Sequence, residues 1–343
     1  MGRQPGVVLF LNPRSRANRR NPGLAAQLGS ALGDEGRVLA PASLDDLRAT
    51  ATTLRDEPPG VVAVHGGDGT LHKVLTALGA AFGDAPLPPL AVLTGGTMNV
   101  VASSLGLREE PLTFLRTLAD DARSGRPPEL VPRRCLRVGE GSLGFVFGNG
   151  LASNFLTEYY ARPGYGPGRA AALLMGTFFS AFWRGPLVRR VFKRFVGDVL
   201  VDGQRLPRDR FVGVNAATVR EVGLGFKLNH RADDDPERFG VLAIHAPPLS
   251  LSLDLLAVLA GRGISPSRAF SGVASTLEVT PMSKTTEMPY TIDGDLYRTP
   301  AGETLRISVG PTVRFVRPRR ALAAARAPEL PSAAAGDTME RAR

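Results

Sequence analysis

The sequence predicts an α/β domain on a parallel sheet followed by an all-β, antiparallel sandwich domain, and three observations support this. From Val7 to about Arg123, short runs of consecutive apolar residues alternate with helical apolar stripes, the order that builds a parallel sheet covered by helices. After about Arg126 strand-like runs follow one another with turn signals between them, as in a sandwich. Three polar or Gly-rich loops, at Asn12, Gly66 and Gly95, each follow the carboxyl end of a predicted strand, the edge where open α/β sheets bind ligands.

Taken in order, Val7–Leu11 reads as the first strand and Asn12-Pro13 ends it. A helix with Leu24, Leu28 and Leu32 on one face follows, then a short strand near Arg37 to Leu39. Ser43 with Asp46 three residues on gives a capping-box start to a helix carrying Leu44, Leu47, Ala51 and Leu54. Val61 to Val64 has the continuous small apolar character of a strand buried on both faces. His65-Gly66-Gly67-Asp68-Gly69-Thr70 breaks it, and Leu71, Val74, Leu75 and Leu78 then form one helical stripe. Leu90 to Leu93 repeats the pattern, running into Thr94-Gly95-Gly96-Thr97-Met98-Asn99, a helix led by Val100 and another through Leu112, Leu115 and Leu118. In the second half, strands are expected at 135–138, 144–147, 198–201, 211–214, 240–244, 277–279, 305–309 and 313–316, with helical interruptions at 167–195 and 251–260. Asp202-Gly203 is a hairpin signal. The chain divides at 1–128 and 129–316, and 317–343, poor in apolar bulk, reads as a disordered tail.

Composition narrows the function. The 343 residues carry a net charge of +10, which favours an anionic partner: nucleic acid, a membrane surface or a phosphorylated small molecule. Aromatic residues are not interleaved with the arginines as in base-stacking modules. One cysteine, Cys135, rules out an intrachain disulfide and a cysteine zinc site, and the four histidines lack metal-ligand spacing. His65 and His72 are expected on a loop and a helix surface. Val7–Leu11 runs directly into Asn12-Pro13, so no secretory leader is expected, and the run from Ala170 to Trp183 is too short to span a bilayer; the expected compartment is the cytoplasm.

The turn at Gly66 to Thr70 presents backbone N–H groups and a helix N-terminus, an arrangement suited to phosphate. Asp68 is a carboxylate set among glycines where packing does not call for one. None of the three loops at Asn12, Gly66 and Gly95 matches GxGxxG or GxxxxGKS, so a standard dinucleotide site and a P-loop are not supported there.

With Gly66-Gly67-Asp68-Gly69-Thr70, the Asn12-Pro13 loop, Gly96-Thr97-Met98-Asn99 and Ile292-Asp293-Gly294-Asp295 located, the sequence resembles the diacylglycerol kinase catalytic-domain family, which includes bacterial soluble lipid kinases and the sphingosine and ceramide kinases. The likeness covers roughly residues 5 to 316. It implies an active site in the cleft between the two domains, with ATP and Mg²⁺ as cofactors and a lipid hydroxyl (diacylglycerol, or a sphingoid or ceramide-like lipid) as acceptor. By this resemblance Asn12, Gly66, Gly67, Gly69, Thr70, Gly96, Thr97 and Asn99 face the nucleotide. Asp68 stands near the transferred phosphate or its Mg²⁺, and Asp293 is the general base. Asp295 replaces a more usual glutamate and is a candidate metal residue, and Val100 stands where several relatives have an acidic residue. The turn Asp233-Asp234-Asp235 resembles one that holds a structural Mg²⁺, which makes Asp234 and Asp235 further candidates; a solvated acidic turn is the other reading.

The aromatics at 178–183 with the arginines and lysine from 184 to 194 are either an interfacial element on anionic lipid or a core helix with a basic face. Arg162 and Arg169 are either phosphate contacts or a solvated face. The leading expectation is an ATP- and Mg²⁺-dependent lipid kinase, peripheral at the inner membrane face, with an anionic membrane surface as partner, no nucleic acid, and a homodimer left open. The alternatives are a soluble-substrate kinase of the NAD kinase type and a non-catalytic lipid- or nucleotide-binding protein on the same fold.

Overall fold

A computed structural model describes residues 6–317, apart from 14, 97, 108, 162–167, 171, 174–175, 177–184, 224–225 and 252–253. The first half runs β1 (Val7–Leu11), α1 (Arg16–Arg20), α2 (Leu24–Leu32), β2 (Gly36–Leu39), α3 (Leu44–Asp56), β3 (Val61–Gly66), α4 (Asp68–Phe82), β4 (Leu90–Thr94), α5 (Val100–Ser104) and α6 (Pro111–Arg123). The strands pair in parallel in the order β2-β1-β3-β4. Every residue of β1 and β3 is buried, because helices cover both faces. Leu54, Leu71, Leu75 and Leu78 of α3 and α4 pack on one side, and Leu28, Leu32, Phe114 and Leu115 of α2 and α6 on the other. The capping box at Ser43 and Asp46 is present in both directions.

The second half runs β5 (Glu129–Val138), β6 (Ser142–Gly144), β7 (Val146–Asn149), α7 (Leu151–Tyr160), α8 (Pro186–Val191), β8 (Phe195–Val201), β9 (Gln204–Arg205), β10 (Arg210–Phe211), β11 (Gly213–Ala217), β12 (Phe239–Ile244), α9 (Pro248–Leu251), α10 (Leu255–Leu259), β13 (Ala269–Ala274), β14 (Thr276–Pro281), β15 (Pro289–Ile292), β16 (Asp295–Arg298) and β17 (Leu305–Arg317). Among the described residues β13-β12-β11-β7-β15-β16 form an antiparallel sheet of six strands. It packs Phe147, Val214, Val241 and Ile292 against Leu136, Leu277 and Ile307 of the facing sheet. An α/β layer followed by a β-sandwich is therefore the architecture.

The facing sheet does not stop at the boundary between the halves. The strands expected at 305–309 and 313–316 are one strand, β17, with a register shift between Val309 and Thr312. Its first part pairs with β14, and Phe315 near its end pairs in parallel with Leu90 of β4. The parallel layer and one leaf of the sandwich thus form a single sheet of eleven strands among the described residues. Val313 and Phe315 lie in one N-terminal core and Val316 in the other.

The two histidines differ from expectation. His65 is 1% exposed at the end of β3 and His72 is 2% exposed on α4. His72 sits where α4 meets β6 and β16: its Nδ1 donates to the Leu143 carbonyl at 2.7 Å, so Nε2 accepts from the Tyr297 hydroxyl at 2.7 Å. Burial holds both imidazoles below the usual histidine range.

Candidate active site

The two glycine loops touch. A Cβ on Gly96 would land on the Gly67 Cα, and one on Gly67 would lie 3.1 Å from the Gly96 Cα. The bare backbones let the start of α4 and the start of α5 lie side by side. Asp68 joins them: Oδ2 accepts from Val100 N at 3.0 Å and Oδ1 from Val101 N at 3.1 Å. This carboxylate caps the first turn of a helix 32 residues away in sequence. Burial pushes its pKa up, and the Val100 and Val101 N–H groups oppose that shift. The Asn12 amide donates to Thr70 Oγ1 at 2.9 Å, bringing the first polar loop onto α4. Asn99 has a left-handed backbone with φ 48°, and its Oδ1 accepts from Gly96 N at 3.1 Å.

Asp293 reaches the same place from the far end of the chain. Asp293-Gly294 closes the β15–β16 hairpin as a two-residue turn with φ of 48° and 90°, the type I′ pattern. Its Oδ1 accepts from Phe145 N at 2.9 Å and Val146 N at 2.8 Å. Burial raises its pKa to about 8; the Phe145 and Val146 N–H groups act against the rise, and the charges of Asp68 and Asp295 add to it. Asp295 Oδ2 pairs with Lys73 Nζ at 2.9 Å, and a Cβ on Gly69 would sit 2.7 Å from Asp295 Oδ1. Gly69 against Asp295, Lys73 with Asp295 and His72 with Tyr297 therefore clasp α4 to the hairpin that carries Asp293.

These groups line one cavity of about 860 Å³. One part is polar: Asn12, Gly67, Asp68, Gly69, Thr70, Gly96, Asp293 and Asp295, with the cations Arg19, Arg20 and Lys73. The other is apolar, walled by Leu151, Phe155 and Tyr159 of α7, by Phe192 and Phe226, and by Leu251 and Ile264. Gly66 is buried in β3 and, like Asn99, supports the loops without lining the cavity. Thr97 lies outside the described residues, as do Arg162 and the aromatics 178–183. Arg169 lies over the Tyr159 ring, 5.8 Å from its centroid. Arg19, Arg20 and Lys73 were not singled out from sequence; their signal is their position within a turn or two of the Asn12 and Gly66 loops.

The acidic turn is held as ion pairs. Asp233 meets Arg133 at 2.6 Å and Arg220 at 2.8 Å, and Asp234 meets Arg231 at 2.7 Å. Asp235 Oδ1 accepts from Glu237 N at 2.9 Å. Among the described residues no group of three or more His, Cys, Asp or Glu side chains is placed to hold a metal ion, so Asp234 and Asp235 are not brought together with further ligands; the arginines supply the compensating charge. No helix among the described residues is long and apolar enough to cross a membrane.

Residues 6–125 match the model of the diacylglycerol kinase catalytic domain. A crystal structure of a diacylglycerol kinase from Bacillus anthracis str. Sterne has the same fold, with TM-score 0.60 and 15% identity over 91% of this chain and 97% of that one. Two further structures from that organism, provisionally assigned as diacylglycerol kinases, give TM-score 0.62 at 14% and 16% identity with the same coverage. Comparison with curated proteins gives no match.

Proposed function

For a chain whose residues 6–125 belong to the diacylglycerol kinase catalytic domain family, we propose an ATP-dependent lipid kinase that transfers the γ-phosphate to a lipid hydroxyl of the diacylglycerol, sphingoid or ceramide kind. The observation that carries this reading is Asp293, a buried carboxylate with a pKa near 8, in a cavity that joins glycine loops and cations to an apolar chamber. Phosphoryl transfer needs an oriented hydroxyl, a base within hydrogen-bond reach and charge stabilisation at the phosphates. Asp293 is suited to take the proton of the acceptor hydroxyl, because desolvation makes it a stronger base than an exposed aspartate.

The start of α4, the Gly96 loop, Arg19, Arg20 and Lys73 would receive the nucleotide phosphates. Asp68 holds those two loops in register through the start of α5. The donor set fits a Mg²⁺ that arrives with ATP rather than one held by the protein alone: the cavity offers hard carboxylate oxygens from Asp68 and Asp295 but no complete cage. Such a cation, when bound, supplies charge neutralisation at the phosphates. The apolar walls favour a lipid over NAD as acceptor. Exposed Arg189, Lys193 and Arg194 beside the cavity residues Val191 and Phe192 suit a cytoplasmic protein that works peripherally on an anionic membrane surface.

The test is radiolabelled ATP with detergent micelles carrying diacylglycerol, sphingoid base, ceramide or polyprenol, and with NAD in parallel. Label in a lipid product is the expected result. Label in NADP alone, or nucleotide binding without turnover on any acceptor, overturns the reading.

A further inference from the structure

The chamber floor is the face of the six-stranded sheet opposite the sandwich core. Phe147, Val214, Ala216 and Ile292 point into that core, so the alternate residues Gly148, Asn215 and Thr291 face the cavity, which all three line. They form one row across three strands, Asn215 opposite Gly148 and Gly148 opposite Thr291. Ala152 of α7 covers Gly148 and leaves the two polar residues on either side.

Asn215 is 4% exposed, and its amide makes no hydrogen bond to any described residue. Thr291 is equally buried, and its Oγ1 is also without a partner among them. Buried polar groups are normally satisfied, so each such exception calls for an explanation. Asn149, at the end of β7, shows the ordinary outcome: its Oδ1 accepts from Val214 N at 2.9 Å and its Nδ2 donates to Met288 Sδ. Asn215 has no such structural employment, and its neighbours Ala216 and Ala217 show that an apolar residue fits this strand.

Resting on the lipid-kinase reading, we propose that Asn215, with Thr291 beside it, is a specificity subsite that hydrogen-bonds a carbonyl in the linkage between the lipid's chain and the hydroxyl that is phosphorylated. Asn215 lies two strands across and two residues along from Asp293, about 12 Å between backbones at the usual sheet spacings. Side chains on one face stand away from the sheet side by side, so a hydrogen bond of about 2.8 Å at each tip leaves about 6 Å, and a linkage of up to about five bonds fits between. An ester one carbon from a primary hydroxyl has that length, and so does an amide. A polyprenol or plain long-chain alcohol offers no group there.

Radiolabelled ATP with diacylglycerol, ceramide and a dialkylglycerol of equal chain length tests this, the last retaining the hydroxyl and chains but lacking the carbonyl. The ratio of kcat/KM for the carbonyl lipid over the dialkyl lipid is expected to be about tenfold or more in the wild type, to collapse in Asn215→Leu and to recover partly in Asn215→Ser. The two carbonyl lipids distinguish ester from amide. A wild type that does not discriminate, or a ratio unchanged in Asn215→Leu, overturns the subsite; the first measurement needs no variant to fold. Should the wild type label no lipid, the kinase reading fails by itself. The subsite is then decided by displacement of a fluorescent long-chain alcohol, where an ester-over-ether preference lost in Asn215→Leu supports it and equal displacement overturns it.

Discussion

At Asp202-Gly203 and again at Asp293-Gly294 the chain closes a two-residue hairpin with aspartate at φ 48° and glycine at φ 77° or 90°. In both, the carboxylate accepts N–H groups at the start of another strand: Ser275 and Thr276 at 2.8 Å for Asp202, Phe145 and Val146 for Asp293. The electrostatics are opposite. Slight burial pushes Asp202 up, but the Thr276 and Ser275 N–H groups and the Arg238 guanidinium outweigh it and hold the carboxyl below its ordinary value. Around Asp293 burial dominates, no arginine among the described residues pairs with it, and Asp68 and Asp295 add like charge. The turn supplies an anchor for a carboxylate in each case. What the carboxylate can do is decided by what is packed around it.

The largest way to sharpen this contrast is substitution at the two turns. Asp293→Asn is expected to lower kcat by about 10²- to 10⁴-fold, the usual worth of a positioned base, while Asp202→Asn stays within about twofold, as surface changes generally do; initial rates of lipid phosphorylation measure both. Next is Gly144→Ala, whose Cβ would land on Ile292 Cγ2 and stand 2.8 Å from Asp293 Oδ2, pressing on the turn and its carboxylate together. Displacing the carboxylate is expected to cost up to about 10²-fold in kcat, and none of the described glycines presses on Asp202 in this way.

A pH series comes third. A base with a pKa near 8 gives a kcat/KM that falls about tenfold per pH unit below that value. The same group acts on stability. Its folded pKa lies above the unfolded value of 3.8, so the stabilisation of the neutral form is complete below about pH 4 and is lost as pH rises towards about 8. Asp293→Asn is expected to remove that part of the fall in melting temperature, and a wild-type-like pH dependence in the variant would count against the assigned environment.

The smallest effect belongs to Asp202. Its depressed pKa contributes stability above the unfolded value, lost as pH falls through the folded one. The side chain is 36% exposed, so screening limits the loss in Asp202→Asn to about 1 kcal/mol at neutral pH, read by urea unfolding and absent in strong acid.

The strand, turn and helix at Val61 to Leu78 were legible because their patterns are local: an apolar run, a glycine break and an i, i+3, i+4 stripe. The same holds for the Ser43 capping box and the Asp202 hairpin. The role of Asp68 was not legible, because its partners Val100 and Val101 lie on another helix. Nor was the burial of His72, whose partners Leu143 and Tyr297 are 71 and 225 residues away. The short strand PYTI at β15 carries little apolar signal because one of its faces lines a cavity. Asn215 sits within the strand GVNAA, where a sequence shows only a polar interruption and the register across β7 gives it a place.

β17 also bears on how the chain is made. The parallel sheet is translated first, yet the strand that flanks β4 and supplies Val313, Phe315 and Val316 to its cores ends at Arg317. The parallel half therefore emerges from the ribosome with an open sheet edge at β4, a liability for intermolecular strand pairing. Its sheet can close only after nearly the whole described chain has been synthesised. A fragment cut at residue 128 keeps the parallel strands but lacks the strand that seals them, and is expected to aggregate where the intact chain folds.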